Sequence, residues 1–219
     1  MHALYALAAG PLAWAAFILF SGGLLFRLIQ LLVRVNRTEK FITSYFSLRY
    51  GLRSILHWLV PFGTAGWRSH PVLTVVTFLF HIGLLVTPLF LLAHIVLWDE
   101  SWNLSWWSLP DLLADILTLI VIAGCLFFLV RRMVRPEVKF VTDASDYILL
   151  LIVAAPFVTG FLASQQWGPS DWMTIAHILS GEIMLVAIPF TRLSHMLFSI
   201  FTRAYMGSEF GKIRHARDW

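Results

Sequence analysis

The chain has 219 residues, of which 59% are hydrophobic and only 13% charged. Soluble domains run at about 45–50% apolar and about 25% charged. A soluble globular fold is therefore excluded, and the length leaves room for several membrane spans but no large soluble domain. The net charge of +4 is read for membrane topology before any question of nucleic acid, for which nothing in the sequence speaks.

Five apolar stretches follow one another, at about residues 11–34, 71–97, 110–132, 145–163 and 171–201. Each meets the roughly 20-residue requirement for crossing the hydrocarbon core. They predict an all-α membrane protein: one membrane domain over residues 1–219 with five transmembrane helices. The first stretch lacks preceding basic residues and is long enough to span, so it reads as a retained helix rather than a signal peptide. After it come Arg34, Arg37, Lys40, Arg49, Arg53 and Arg68. Within that connection FITSYFSLRYGLRSILHWLVPF (41–62) mixes leucines and aromatics with arginines. The segment at about 38–68 is expected to be an amphipathic helix on the inner surface, or a docking site for a cytoplasmic partner.

The connection after the second span, WDESWNLSWWSLPD (98–111), has no Lys or Arg, and neither has SQQWGPSDW (164–172) after the fourth. RRMVRPEVK (131–139) follows the third, and Arg203, Lys212, Arg214 and Arg217 follow the fifth. The positive-inside rule then places the N-terminus outside and the C-terminus in the cytoplasm, with tryptophans of both outer loops in the interfacial belt. Asp143 and Asp146 are expected to cap the fourth helix, and Asp111 and Asp115 to sit at the start of the third. Cys125 is the one cysteine, with no CxxC or CxxCH pattern. Iron–sulfur ligation and covalently attached haem are not expected.

Histidine carries the chemistry. His81 and His94 lie on the second span, His177 and His195 on the last. Imidazoles in lipid are costly and have a partner or a task. On an unbroken helix the 18 steps from His177 to His195 make five whole turns, so both rings would share one face roughly 27 Å apart. Two helices with two histidines each would supply axial ligands for two haems stacked across a bilayer. Gly83 and Gly181 lie beside these histidines, where a missing side chain leaves room for a macrocycle. Arg192 either pairs with a haem propionate or snorkels to the interface. Glu182, five residues past His177, is read as a second-shell acceptor for its ring, a proton acceptor from quinol, or an interhelical hydrogen-bond partner. His2, His57 and His215 read as solvated or interfacial.

FHIGLL (80–85), IPFTRLSH (188–195), the 18-residue histidine spacing, and RRMVRPEV (131–138) followed by TDASDYILL (142–150) resemble the dihaem cytochrome b subunits of the respiratory nitrate reductase gamma type. In loop character the chain is most similar to the cytochrome b subunits of transmembrane electron-transfer complexes in sulfate reducers. The resemblance implies two b-type haems, with His81 and His195 holding the cytoplasm-side one and His94 and His177 the outer one. It also implies an electron-transfer subunit of an oxidoreductase complex in a bacterial inner membrane. Its partners would be a cytoplasmic iron–sulfur subunit of the heterodisulfide-reductase-like kind, a periplasmic multihaem cytochrome c or menaquinol, and other membrane subunits.

The 13 residues from His81 to His94 correspond to about 140° on an ideal helix, and Pro88 between them is expected to re-phase it. His70, 11 residues from His81, is the alternative ligand. A quinol-oxidising gamma subunit of a nitrate-reductase-type enzyme is the runner-up, although the lysine that such a subunit carries near the start of helix III is absent here. A haem-free transporter or scaffold is the reading from another class.

Overall fold

The computed structural model describes residues 2–38 and 42–219. Among them the secondary structure is entirely helical. Twelve α-helices run in order: α1 (His2–Leu7), α2 (Ala13–Thr38), α3 (Ile42–Tyr45), α4 (Leu48–Leu59), α5 (Ala65–Ser69), α6 (Pro71–Phe90), α7 (Leu92–Trp102), α8 (Asp111–Val134), α9 (Pro136–Phe140), α10 (Ala144–Ser164), α11 (Ser170–Phe190) and α12 (His195–Ser208). Five stretches are long and apolar enough to cross a membrane: His2–Arg37, Pro71–Phe90, Asp111–Val134, Ala144–Ser164 and Asp171–Phe190. This is the architecture of a multi-pass membrane protein, and leucines and isoleucines exposed along the spans suit a lipid surround. Lys40, counted among the basic residues after the first span, lies outside the described residues.

The helix boundaries depart from expectation where proline acts. The first span does not begin at Pro11. The chain is helical from His2 and passes Pro11 inside a π-helical turn, Ala8–Leu12. The expected helix over 71–97 is two helices. α6 ends at Phe90, Leu91 is extended (φ −72°, ψ 129°), and α7 starts at Leu92. The expected helix over 171–201 is likewise broken. α11 ends at Phe190, Thr191 is extended, a 3₁₀ turn covers Arg192–Ser194, and α12 begins at His195. Pro88 lies three residues before the first break and Pro189 two before the second. The 18-step arithmetic for His177 and His195 therefore does not apply, since they stand on different helices.

The chain divides into two compact units, Met1–Ala9 with Val76–Gly181, and Gly10–Val75 with Glu182–Trp219. The first unit packs α6, α8 and α10 by small residues. A Cβ on Gly83 would lie 2.8 Å from Val121 Cγ2 and 2.9 Å from the Leu117 carbonyl, and one on Gly124 would lie 2.8 Å from Phe80 Cδ2. Gly83 thus lets α6 close on α8 and does not open a slot for a macrocycle, contrary to the expectation. Around Gly181 a Cβ would meet nothing within 4 Å. Asp143 caps α10 with a reciprocal capping box through Asp146, whose carboxylate also meets Arg132 at 3.4 Å. Asp111 lies in the first turn of α8, while Asp115 accepts from Gln165 Nε2 at 2.9 Å.

In the second unit α4 lies along α12. Gly51 faces Ala204, Gly207 faces Ser54 and the Tyr50 carbonyl, and Ser54 and Ser208 are fully buried. Ser47 N donates to Ser208 Oγ at 3.0 Å. Leu48, Leu52, Leu56 and Leu59 form the exposed opposite stripe. The small residues face inward and the leucines outward, the arrangement of a helix bordered by lipid. The C-terminal stretch folds back on this pair. Asp218 accepts from Ser54 Oγ and from Arg203 Nη2, and Trp219 stacks on His57 with ring centres 4.0 Å apart.

Candidate functional site

Each of the four candidate histidines turns Nδ1 to a backbone carbonyl, although only His81 and His177 fall within the spans; His94 and His195 lie just past the breaks that end theirs. His81 meets the Thr77 carbonyl at 2.8 Å, His94 that of Pro88 at 2.8 Å, His177 that of Pro156 at 2.9 Å, and His195 that of Arg192 at 2.9 Å. A carbonyl only accepts, so in the neutral ring Nδ1 holds the proton and Nε2 keeps its lone pair. This is the tautomer that binds a metal through Nε2 while a backbone oxygen fixes the ring. His57 makes the same contact to the Arg53 carbonyl at 2.8 Å, but its ring is covered by Trp219.

The break at Leu91 explains one of these contacts. In an unbroken helix the Leu92 amide would meet the Pro88 carbonyl. With Leu91 extended, His94 reaches that oxygen from six residues on. His195 also stands six residues past a proline, in PFTRLSH against PLFLLAH, but its Nδ1 meets the Arg192 carbonyl three residues back instead of the Pro189 carbonyl. Pro189 is fully buried, and a Cβ on Gly23 of α2 would lie 2.7 Å from its ring, so Gly23 provides the notch in which the proline sits. Thr191 then closes the 3₁₀ turn by accepting from Leu193 N at 3.2 Å.

His177 is held between helices. Its carbonyl partner belongs to α10, where Gly160 leaves that carbonyl uncovered: a Cβ there would lie 2.8 Å from His177 Nδ1. The role offered to Glu182 as acceptor for this nitrogen is thus taken by Pro156. Ser180 Oγ, 3.2 Å from Thr159 Oγ1, adds a second tie between α10 and α11.

His94 and His177 come together in the first unit. Their ring centres are 5.8 Å apart and their planes 10° from parallel. Both rings are half-buried. His70 is exposed beside a cavity lined by Trp58, Trp67 and Arg203. His81 belongs to the first unit and His195, which is exposed, to the second. Arg192 is exposed and contributes its carbonyl to His195. Among the described residues no three His, Cys, Asp or Glu side chains gather as a metal cluster would.

Three residues escaped the sequence reading. Gly160 and Pro156 are visible only as AAPFVTG (154–160), a pattern equally at home in plain helix packing. Arg27 lies within the first span, its guanidinium 5.6 Å over the Phe198 ring, one turn past His195. Its Nε is buried with no hydrogen-bond partner among the described residues.

The fold and these side chains define a helical multi-pass membrane protein with four histidines anchored to backbone carbonyls, two of them with adjacent rings. The chain belongs to the same family as a protein of Nitratidesulfovibrio vulgaris (strain Hildenborough), described simply as "Protein". The two are 40% identical over 211 residues, covering 94% of this chain and 93% of that one. No family model matches the chain, and no solved structure matches it.

Proposed function

We propose that this protein is a dihaem b-type cytochrome subunit that carries electrons across a bacterial inner membrane. The observation that carries the reading is the pair His94–His177. Two imidazoles bound to opposite sides of one metal at about 2.0–2.1 Å, the length of a zinc–imidazole bond, have ring centres roughly 6 Å apart. The observed separation of 5.8 Å is close to that value. Haem b in this place supplies one-electron carriage between ferric and ferrous iron. The chain's own part is to hold two neutral imidazoles in a fixed tautomer, through the Pro88 and Pro156 carbonyls, and to keep water away by burial between helices. His81 and His195 are the ligands of the second, cytoplasm-side haem in this reading, each with Nδ1 already occupied. Arg27 and Arg192 are the cations on offer to propionates near His195.

The N-terminus is outside and the C-terminus inside, on the strength of the Lys- and Arg-free loops 98–111 and 164–172. Electrons pass between a periplasmic cytochrome c or menaquinol and a cytoplasmic iron–sulfur subunit that meets the basic face. The test is a reduced-minus-oxidised spectrum of the purified protein from a host that supplies haem, with variants. His94→Ala and His177→Ala each remove the same haem and spare the other. Retention of both haems in either variant would exclude the pairing.

A further inference from the structure

The turn after α4 closes tightly, since a Cβ on Gly63 would run into the His57 carbonyl. α5 is thereby laid between α4 and α6. Trp67 Nε1 donates to the Trp58 carbonyl at 3.2 Å, and Thr74 Oγ1 donates to the Trp67 carbonyl at 2.8 Å. Together with the folded-back C-terminal stretch these helices enclose a cavity of about 650 Å³, all of it within the second unit. Its wall holds three indoles, Trp58, Trp67 and Trp219, and Leu73 from the first turn of α6. The cavity therefore lies where the second span begins, at the boundary of membrane and water.

Two guanidinium groups line it. Arg203 Nη2 donates to Asp218, at 3.1 Å to the carboxylate and 3.3 Å to the backbone carbonyl, while its Nε is buried with no hydrogen-bond partner among the described residues. The Arg203 side chain stays 18% exposed, whereas that of Asp218 is 1% exposed. Arg217 is exposed and has neither ion pair nor hydrogen bond among the described residues. The lone carboxylate is thus taken by Arg203, and the charge of Arg217 is left over beside an aromatic wall.

We propose that this cavity binds the headgroup of an anionic phospholipid, with the phosphate against Arg217 and the open edge of Arg203, and the glycerol and upper acyl carbons against the indoles. Charge selects the phosphate, which guanidinium groups bind through paired N–H donors. Size selects more than a free ion. The volume lies in the range of small-molecule sites, about 300–1,000 Å³, and a bare phosphate would leave the three indoles uncovered. Place selects a lipid. Tryptophan rings settle at headgroup level, and basic pockets beside membrane spans hold lipid headgroups. The acidic side chain of a soluble partner would answer the arginines but not the indole wall. The site holds with or without haem.

The experiment is native mass spectrometry of the delipidated full chain in dodecyl maltoside, titrated with dioctanoylphosphatidylglycerol. Wild type binds one lipid per chain saturably. Arg217→Glu, at an exposed position with no partner to lose, weakens binding about tenfold or more, because a charge that attracts the phosphate is exchanged for one that repels it. Arg217→Lys keeps most of the affinity. Two further probes take the ligand apart. Dioctanoylglycerol, which lacks the phosphate, binds at least about tenfold more weakly, and inorganic phosphate at the concentration of the lipid displaces none of it. Wild type that binds no lipid saturably, or equal affinity in wild type and Arg217→Glu, overturns the site. Dioctanoylglycerol that binds as well as the phospholipid removes the phosphate from the proposal, and displacement by inorganic phosphate removes the lipid; either result overturns it.

Discussion

His177 reaches out of α11 to the Pro156 carbonyl of α10, and it does so because residue 160 is glycine. The smallest change that tests this contact adds one carbon. Gly160→Ala puts a Cβ 2.8 Å from Nδ1, and Gly160→Val adds a branched side chain at the same point. Both are expected to displace the ring, with the valine variant reducing haem content by about half while the remaining haem keeps its spectrum. The readout is haem per chain with the 195-side haem as internal control. Arg27 presents the other residue-scale test. A cation close to haem favours the reduced iron, which carries less positive charge. Arg27→Leu is expected to lower the midpoint potential of one haem and leave the other where it was, measured by redox titration. The four histidines were legible because imidazole in an apolar run is conspicuous. Gly160 and Arg27 were not, because their meaning depends on which helix lies opposite.

At the level of the element, the breaks at Leu91 and Thr191 matter more than the helices they interrupt. Composition and length sufficed to find five spans, because twenty apolar residues leave few alternatives. Where a helix stops was harder to read. Pro88 and Pro189 each announce a disturbance, but a kinked continuous helix and two separate helices have the same sequence signature. What distinguishes them is tertiary: a notch at Gly23 for Pro189, and a side chain ready to take the Pro88 carbonyl. Gly83 shows the opposite error. Its position beside His81 suggested space, yet α8 fills that space. The α4–α12 contact gives a prediction of its own. Gly207→Ala would place a Cβ 2.5 Å from Ser54 Cβ and from the Tyr50 carbonyl. Overpacking of this kind costs about 1–3 kcal/mol. Reversible unfolding in mixed micelles should show that loss, with little change in a Leu52→Ala control, whose side chain is exposed.

For the whole molecule, orientation is the property on which the proposed side of each partner depends. Cys125 is buried, at 5% exposure, so the wild-type chain offers a low labelling background. Trp107→Cys and Trp167→Cys are expected to react with an impermeant maleimide on intact cells, whereas Arg135→Cys reacts only after permeabilisation. The reverse pattern would turn the protein over and move the iron–sulfur partner to the other side. The basic C-terminal stretch folds back on α4 and α12, where Asp218 and Trp219 are held by Ser54, Arg203 and His57. In the proposed reading, a cytoplasmic partner would meet the combined face of α4, α12 and the folded-back terminus. The measurement that bears most directly on the account is the pyridine haemochrome assay of purified protein, read against protein mass. The account predicts about two non-covalent b haems per chain, released by acid acetone because no thioether can tether them. A preparation from a haem-competent host that yields none, or only one, would contradict it.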